Sequence, residues 1–231
     1  MVSSVSGKKV LVVGGTGGIG FGIAQSLKDR GAEAILVGRH SVPGFDCRKI
    51  DLSDSAEWRK VLNLAEQTDI LCASWGPFLQ KPLHETSPEE WLNVVSSNLS
   101  LPGALVSAAL PYMLSRGWGR ILLFGGTRTD TSRGARTNAA YAAAKAGITS
   151  LVRSVALSYA AEGIQCNGIC PGLVRTEYLD AEQIRSLGSK NPDGKLVEVS
   201  EIADAALMLM ENSVYNGVLL PVDKGWAPGL I

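Results

Sequence analysis

Histidine is nearly absent. The 231-residue chain holds two, His40 and His84, without paired-ligand spacing, so a histidine-built metal site is disfavoured and no metal is expected. Neither sign of charge is in excess. Lys+Arg and Asp+Glu both total 22, which argues against a broad electrostatic grip on nucleic acid or an anionic membrane. The four cysteines, Cys47, Cys72, Cys166 and Cys170, fit neither a zinc pattern nor a small disulfide scaffold. Cys72 and Cys166 sit in apolar runs, where a free cysteine behaves as a small core residue. Reduced thiols suit the cytoplasm. The stretch from Met1 to Gly7 lacks the charged region and long apolar run of a signal peptide. No apolar run approaches the roughly 18 residues that a transmembrane helix needs.

What is abundant is glycine. There are 26, with no strict period, so a collagen-like reading fails. A chain of 231 residues, 45% hydrophobic, suits one compact domain over residues 1–231. Short apolar runs are expected as strands at Lys9 to Val13, Ala34 to Val37, Ile70 to Ala73, Arg120 to Phe124, Ile164 to Ile169 and Val218 to Val222. Helical patterns lie at 18–30, 54–67, 88–115, 138–161 and 199–211. Ser87-Pro88-Glu89-Glu90 is a strong helix start: a capping hydroxyl, a first-turn proline, then acids at the positive end of the dipole. Alternation of apolar strands and helices predicts an α/β fold, a doubly wound parallel sheet of the Rossmann type. Two stretches, Thr127 to Thr137 and Arg175 to Pro192, read as surface excursions after strands, where ligand crevices form in such sheets.

Val13-Gly14-Gly15-Thr16-Gly17-Gly18-Ile19-Gly20 joins the first strand to the first helix. Glycines allow a tight turn and close approach of backbone to phosphate, and the amides of the following helix favour negative charge. Three glycine fingerprints fit at once, so the loop implies a dinucleotide without choosing a subfamily. The second strand ends Val37-Gly38-Arg39-His40, with no acid to hold a ribose 2′-hydroxyl. Gly38 leaves room, and Arg39 offers a charge-assisted fork to a 2′-phosphate. NADPH is therefore expected over NADH. Further along, Tyr141-Ala142-Ala143-Ala144-Lys145 puts a phenol and an ammonium on one helical face. The cation is expected to lower the phenol pKa and make Tyr141 a proton donor or acceptor.

With these motifs in order, the chain resembles the short-chain dehydrogenase/reductase family, in its compact, 3-oxoacyl-carrier-protein reductase-like branch. The resemblance also takes in Asp51-Leu52, Asn98, Gly119-Arg120-Ile121-Leu122, Cys166-Asn167-Gly168-Ile169-Cys170-Pro171-Gly172 and Val222-Asp223-Lys224-Gly225-Trp226. It implies that Gly14, Thr16, Gly17, Gly18, Ile19 and Gly20 cradle a pyrophosphate and that Asp51 and Leu52 flank an adenine. Lys145 would hold the nicotinamide ribose and polarise Tyr141. Pro171, Gly172 and Val174 would shape the nicotinamide pocket, with Thr176 on its carboxamide. Asn98 would bend its helix and hold a water that feeds protons towards Lys145. The implied reaction is hydride transfer between NADPH and a small-molecule carbonyl or alcohol, in a homodimer or homotetramer.

Two departures stand out. The family usually has a serine after the strand read here as Leu122-Leu123-Phe124-Gly125-Gly126-Thr127. Gly126 takes its place; Thr127 is the nearest substitute hydroxyl, ahead of Thr129. Ala73-Ser74-Trp75-Gly76 stands where Asn-Asn-Ala-Gly is usual, leaving Ser74 and Gly76 on the adenosine side and Trp75 as wall or core. Arg128, Arg133 and Arg136 read either as a solvated loop or as a grip on an anionic substrate. Glu162, where carrier-protein reductases often have a basic residue, would repel an acidic carrier. The competing function is a dinucleotide-binding sensor or interaction protein with little turnover.

Overall fold

The computed structural model describes residues 3–131 and 134–226. Its strands are β1 (Lys9–Val13), β2 (Glu33–Gly38), β3 (Asp46–Lys49), β4 (Ile70–Ala73), β5 (Gly119–Phe124), β6 (Ile164–Pro171), β7 (Val174–Arg175), β8 (Val197–Glu198) and β9 (Leu219–Val222). The helices are α1 (Gly18–Asp29), α2 (Trp58–Ala65), α3 (Pro88–Val95), α4 (Leu101–Arg116), α5 (Ala139–Tyr159), α6 (Ala181–Gly188) and α7 (Val199–Glu211). β7 pairs with β8, and the other strands form a seven-stranded parallel sheet in the order β3-β2-β1-β4-β5-β6-β9. This is the doubly wound α/β fold that the strand–helix alternation predicts.

The period of two along each strand divides the core. Leu11 and Val13 of β1, Leu71 of β4 and Ile121 of β5 face α2, α4 and α5. Val10 and Val12, Cys72 and Leu122 face α1 and α7. Both sheet faces are thus covered, as parallel strands require. The rims differ: β3 is short and largely exposed, with Asp46 and Arg48 paired at 2.8 Å. β9 at the other rim contains Pro221, which has no amide proton to offer.

The predicted cap is present. Ser87 Oγ accepts from the Glu90 amide at 3.2 Å, and Glu90 Oε2 accepts from the Ser87 amide at 2.8 Å. The expected 88–115 helix is continuous from Pro88 to Arg116 but passes through a π-helical turn, Ser96–Ser100. At 29 residues it is long and apolar enough to cross a membrane, a property its interrupted apolar runs conceal in the sequence. In the fold Leu101, Leu105, Ala109 and Met113 bury its inner face. Four elements escape the sequence pattern, among them the two-residue strands β7 and β8. β3 reads Asp-Cys-Arg-Lys, with no apolar run, and the Arg175 to Pro192 excursion contains α6, whose Asp180 cap is legible only afterwards.

The chain order reverses between β1 and β4, so the connections leaving their C-terminal ends diverge and open a crevice there. The loops after β1, β4, β5 and β6 border it. Leu122, fully buried in β5, supports that edge, and Leu122→Ala is expected to cost about 2–5 kcal/mol in a denaturant titration.

Candidate active site

The glycine turn after β1 is built by close approaches. Gly14 has φ 82°, and a Cβ there would lie 2.8 Å from Trp75 Cβ. A Cβ at Gly20 would lie 2.3 Å from the Gly14 carbonyl oxygen, so glycine alone lets α1 close against the turn. Gly38 differs from expectation. Its missing side chain does not leave open space, because a Cβ there would be 2.0 Å from Thr16 Oγ1. Gly14, Thr16, Gly17, Arg39, Asp51 and Leu52 line a cavity of about 290 Å³, with Trp75 and Tyr178 as walls. Arg39 is exposed at its mouth. The Ser53 hydroxyl and amide, with Arg39 secondarily, hold the Asp51 carboxyl below its usual range. Ser74 is turned the other way. Its hydroxyl donates to the Val13 carbonyl at 3.1 Å and braces β1 against the next loop.

A carboxylate already sits on this turn. Glu177 Oε1 accepts from the Gly18 amide at 2.7 Å, at the positive end of α1. Burial alone would raise the Glu177 pKa, yet the Gly18 amide and the Tyr178 hydroxyl hold it below normal. Tyr178 leans over Gly17, and Thr176 lies against Gly18.

A second cavity, of about 380 Å³, lies beyond Ile19. Tyr141 is half-buried in its wall, and Pro171, Gly172 and Val174 face it. Lys145 is buried one turn along α5, and its Nζ donates to the Phe124 carbonyl at 2.9 Å. The expected lowering of the Tyr141 pKa is not present in this ligand-free arrangement. Burial, and Cys170 secondarily, push the phenol up to about 12, while burial pulls Lys145 down to about 8. Lys145 Nζ lies 5.5 Å from the Tyr141 ring centre, and desolvation outweighs its attraction at that range. Phe78 packs edge-on to Tyr141 at 5.0 Å between centroids.

The loop after β5 is less solvated than its composition implies. Thr129 is buried; its hydroxyl donates to the Gly126 carbonyl at 3.0 Å and accepts from the Gly126 amide at 2.9 Å. Thr127 lines the second cavity, with its hydroxyl donating to the Pro171 carbonyl at 2.8 Å. Arg128, at φ 55°, pairs through Nε with the buried Asp223 carboxylate at 2.6 Å. It is thus a partly buried, ion-paired side chain rather than a freely solvated one. Arg136 is exposed, and Arg133 lies outside the described residues. Gly126 occupies the expected place beside the phenol, since a Cβ there would be 3.1 Å from Tyr141 Cε1.

Asn98 sits in the π turn. Its Nδ2 donates to Pro77 O at 2.8 Å and Val94 O at 3.0 Å. Its buried Oδ1 has no hydrogen-bond partner among the described residues, and a Cβ on Gly76 would come within 2.1 Å of it. Gly76 is therefore required by Asn98.

A family model described as enoyl-(acyl carrier protein) reductase matches residues 14–227. The 3-oxoacyl-acyl-carrier-protein reductase of Haemophilus influenzae is 31% identical, over 96% of this chain and 98% of its own length. A solved short-chain dehydrogenase/reductase family protein superposes with a TM-score of 0.84 at 28% identity, over 96% of this chain and 97% of the other. The chain belongs to the short-chain dehydrogenase/reductase family. A protein described as an NAD(P)-dependent gluconate 5-dehydrogenase from Beutenbergia cavernae, solved with NADP at low occupancy, superposes with a TM-score of 0.85. It is 27% identical, with 96% and 98% of the two chains covered. This short-chain dehydrogenase/reductase is an oxidoreductase of a hydride-transferring family that uses a nicotinamide dinucleotide.

The sequence pattern does not reveal Phe78, Glu177, Tyr178, Trp226 or Asn138 as site residues, yet each borders the cavities or the glycine turn. For Asn138 a signal existed: its place at the start of the helix that carries Tyr141. The depressed Lys145 pKa yields a stability test. The folded state binds fewer protons than the unfolded state between about pH 8 and the ordinary lysine value of 10.5. The burial cost is therefore full below pH 8 and fades as pH rises. Lys145→Met should gain on the order of 1–3 kcal/mol near neutral pH, with the gain shrinking from about pH 8 upward and gone above the lysine value. Denaturant midpoints across pH check this, and an unchanged midpoint at neutral pH contradicts it.

Proposed function

We propose that the protein reduces a small-molecule carbonyl with NADPH, or oxidises the corresponding secondary alcohol, with Tyr141 as the proton donor. The observation that carries this reading is the buried Lys145 one turn beyond Tyr141 at the cavity that Pro171, Gly172 and Val174 also border. The glycine turn suits a dinucleotide, because the Gly18 amide already holds an anionic oxygen. Gly14, Thr16, Gly17, Gly18, Ile19 and Gly20 would hold the pyrophosphate, Asp51 and Leu52 the adenine, and Arg39 the 2′-phosphate. Ser74 and Gly76 support the adenosine side from beneath. Lys145 would hold the nicotinamide ribose, and Thr176 the carboxamide.

When bound, NADPH supplies the hydride. Tyr141 gives its proton to the carbonyl oxygen. In the free protein burial raises the Tyr141 pKa and leaves the phenol protonated. Asn98 Oδ1 is the acceptor for a water that would return protons towards Lys145. Thr127 ties the β5 loop to Pro171 and so holds the wall of the nicotinamide pocket. The free cysteines suit work in the cytoplasm. A dimer or tetramer belongs to the same reading, supported by Leu157 standing 87% exposed on α5; sedimentation as a monomer opposes it.

A second reading, a dinucleotide-binding sensor with little turnover, is favoured by the missing hydroxyl at Gly126. A cofactor-oxidation screen over a carbonyl library separates the two. Turnover should require Tyr141, vanish in Tyr141→Phe, and favour NADPH over NADH by about tenfold or more. Tight NADPH binding with no turnover on any carbonyl supports the sensor. Glu177 must leave the Gly18 amide before a pyrophosphate can take it. Glu177→Gln, which removes the competing charge, is expected to tighten NADPH binding several-fold, read as a lower Kd in a fluorescence titration.

A further inference from the structure

Asn138 stands at the cap position of α5, with φ −155° and ψ 43°, and its side chain makes no capping bond. That is unusual use of a residue type favoured there for its capping oxygen. Two other caps in this chain are made, Ser87 accepting from the Glu90 amide and Asp180 from the Gln183 amide, whereas α1, α2 and α4 also lack a side-chain cap bond. The Asn138 side chain instead borders the cavity that holds Tyr141, three residues further along the chain. It has no hydrogen-bond partner among the described residues.

The other hydroxyls of that cavity are engaged or peripheral. Thr127 donates to the Pro171 carbonyl, and Thr129 donates to the Gly126 carbonyl. Thr131 is exposed. Gly126, against the Tyr141 ring, has no side chain to donate. A carbonyl oxygen that becomes an alkoxide is stabilised by donors already aimed at it, and Tyr141 alone supplies one.

We propose that the Asn138 amide is the second donor, and that Asn138 is a catalytic residue of the carbonyl reaction. Nδ2–H donates to the substrate oxygen beside the Tyr141 hydroxyl. The hydride goes from NADPH to the carbonyl carbon and the proton from Tyr141 to the oxygen. Asn138 transfers nothing and only holds the developing charge. The α5 amides left uncapped are the cost of aiming the side chain at substrate. This inference rests on the carbonyl-reductase reading above.

The test is Asn138→Ala, assayed for kcat with the best ketone of the screen, for NADPH affinity and for the denaturant midpoint. A lost donor should lower kcat by about 10²–10³, with NADPH Kd and the midpoint unmoved, because no cap is broken. Asn138→Asp, which accepts but cannot donate, should be as slow as the alanine variant. Adding Gly126→Ser to Asn138→Ala should recover about tenfold or more of the loss, since a hydroxyl then returns beside Tyr141. Three results overturn the proposal: wild-type kcat in Asn138→Ala, a fall in midpoint that accounts for its lost activity, or a large loss in Thr127→Ala where Asn138→Ala shows none. Any of these leaves the carbonyl-reductase reading standing. A wild-type protein that turns over no carbonyl removes both.

Discussion

Lys145 places an ammonium almost out of reach of solvent, with the Phe124 carbonyl at the end of β5 accepting its hydrogen bond. Desolvation of that charge is unfavourable, and the one carbonyl offsets only part of it. No carboxylate pairs with it among the described residues. The lowered Lys145 pKa and the raised Tyr141 pKa are two results of the same apolar setting. In the free protein the pair is tuned by burial rather than by mutual attraction. A group kept at such a cost to folding is a mark of a functional site.

Around that pair the strand ends interlock through positions where no side chain fits. Gly14 admits Trp75, Gly20 admits the Gly14 carbonyl, Gly38 admits Thr16, and Gly76 admits Asn98. The π turn at Ser96–Ser100 belongs to the same set, because it brings Asn98 under the loop after β4. The glycine content thus has a spatial logic: it lets side chains and backbone from neighbouring segments press directly onto the chain.

Much of this was legible beforehand, and the reasons differ by element. β1, β4 and α7 lie where their apolar runs end, because burial on both faces leaves little tolerance for a polar residue. β3 was not legible, since an edge strand needs no apolar face. The glycine turn and the Tyr141–Lys145 pair were readable because each is a short motif of particular residue types at fixed spacing. The Glu177 contact was not, because it joins residues 159 apart in sequence. The direction of the Tyr141 shift depends on how much water reaches the ring. Spacing along a helix carries no information about that.

The rims of the sheet have a consequence for the chain in bulk. One rim displays Asp46, Arg48 and Lys49, and the other contains a proline. An unpaired strand is a template for strands from neighbouring molecules, and charge or proline there spoils the template. Crowded copies of this protein therefore have poor means of stacking strand against strand into fibrils. The helical faces carry no such ladder to extend.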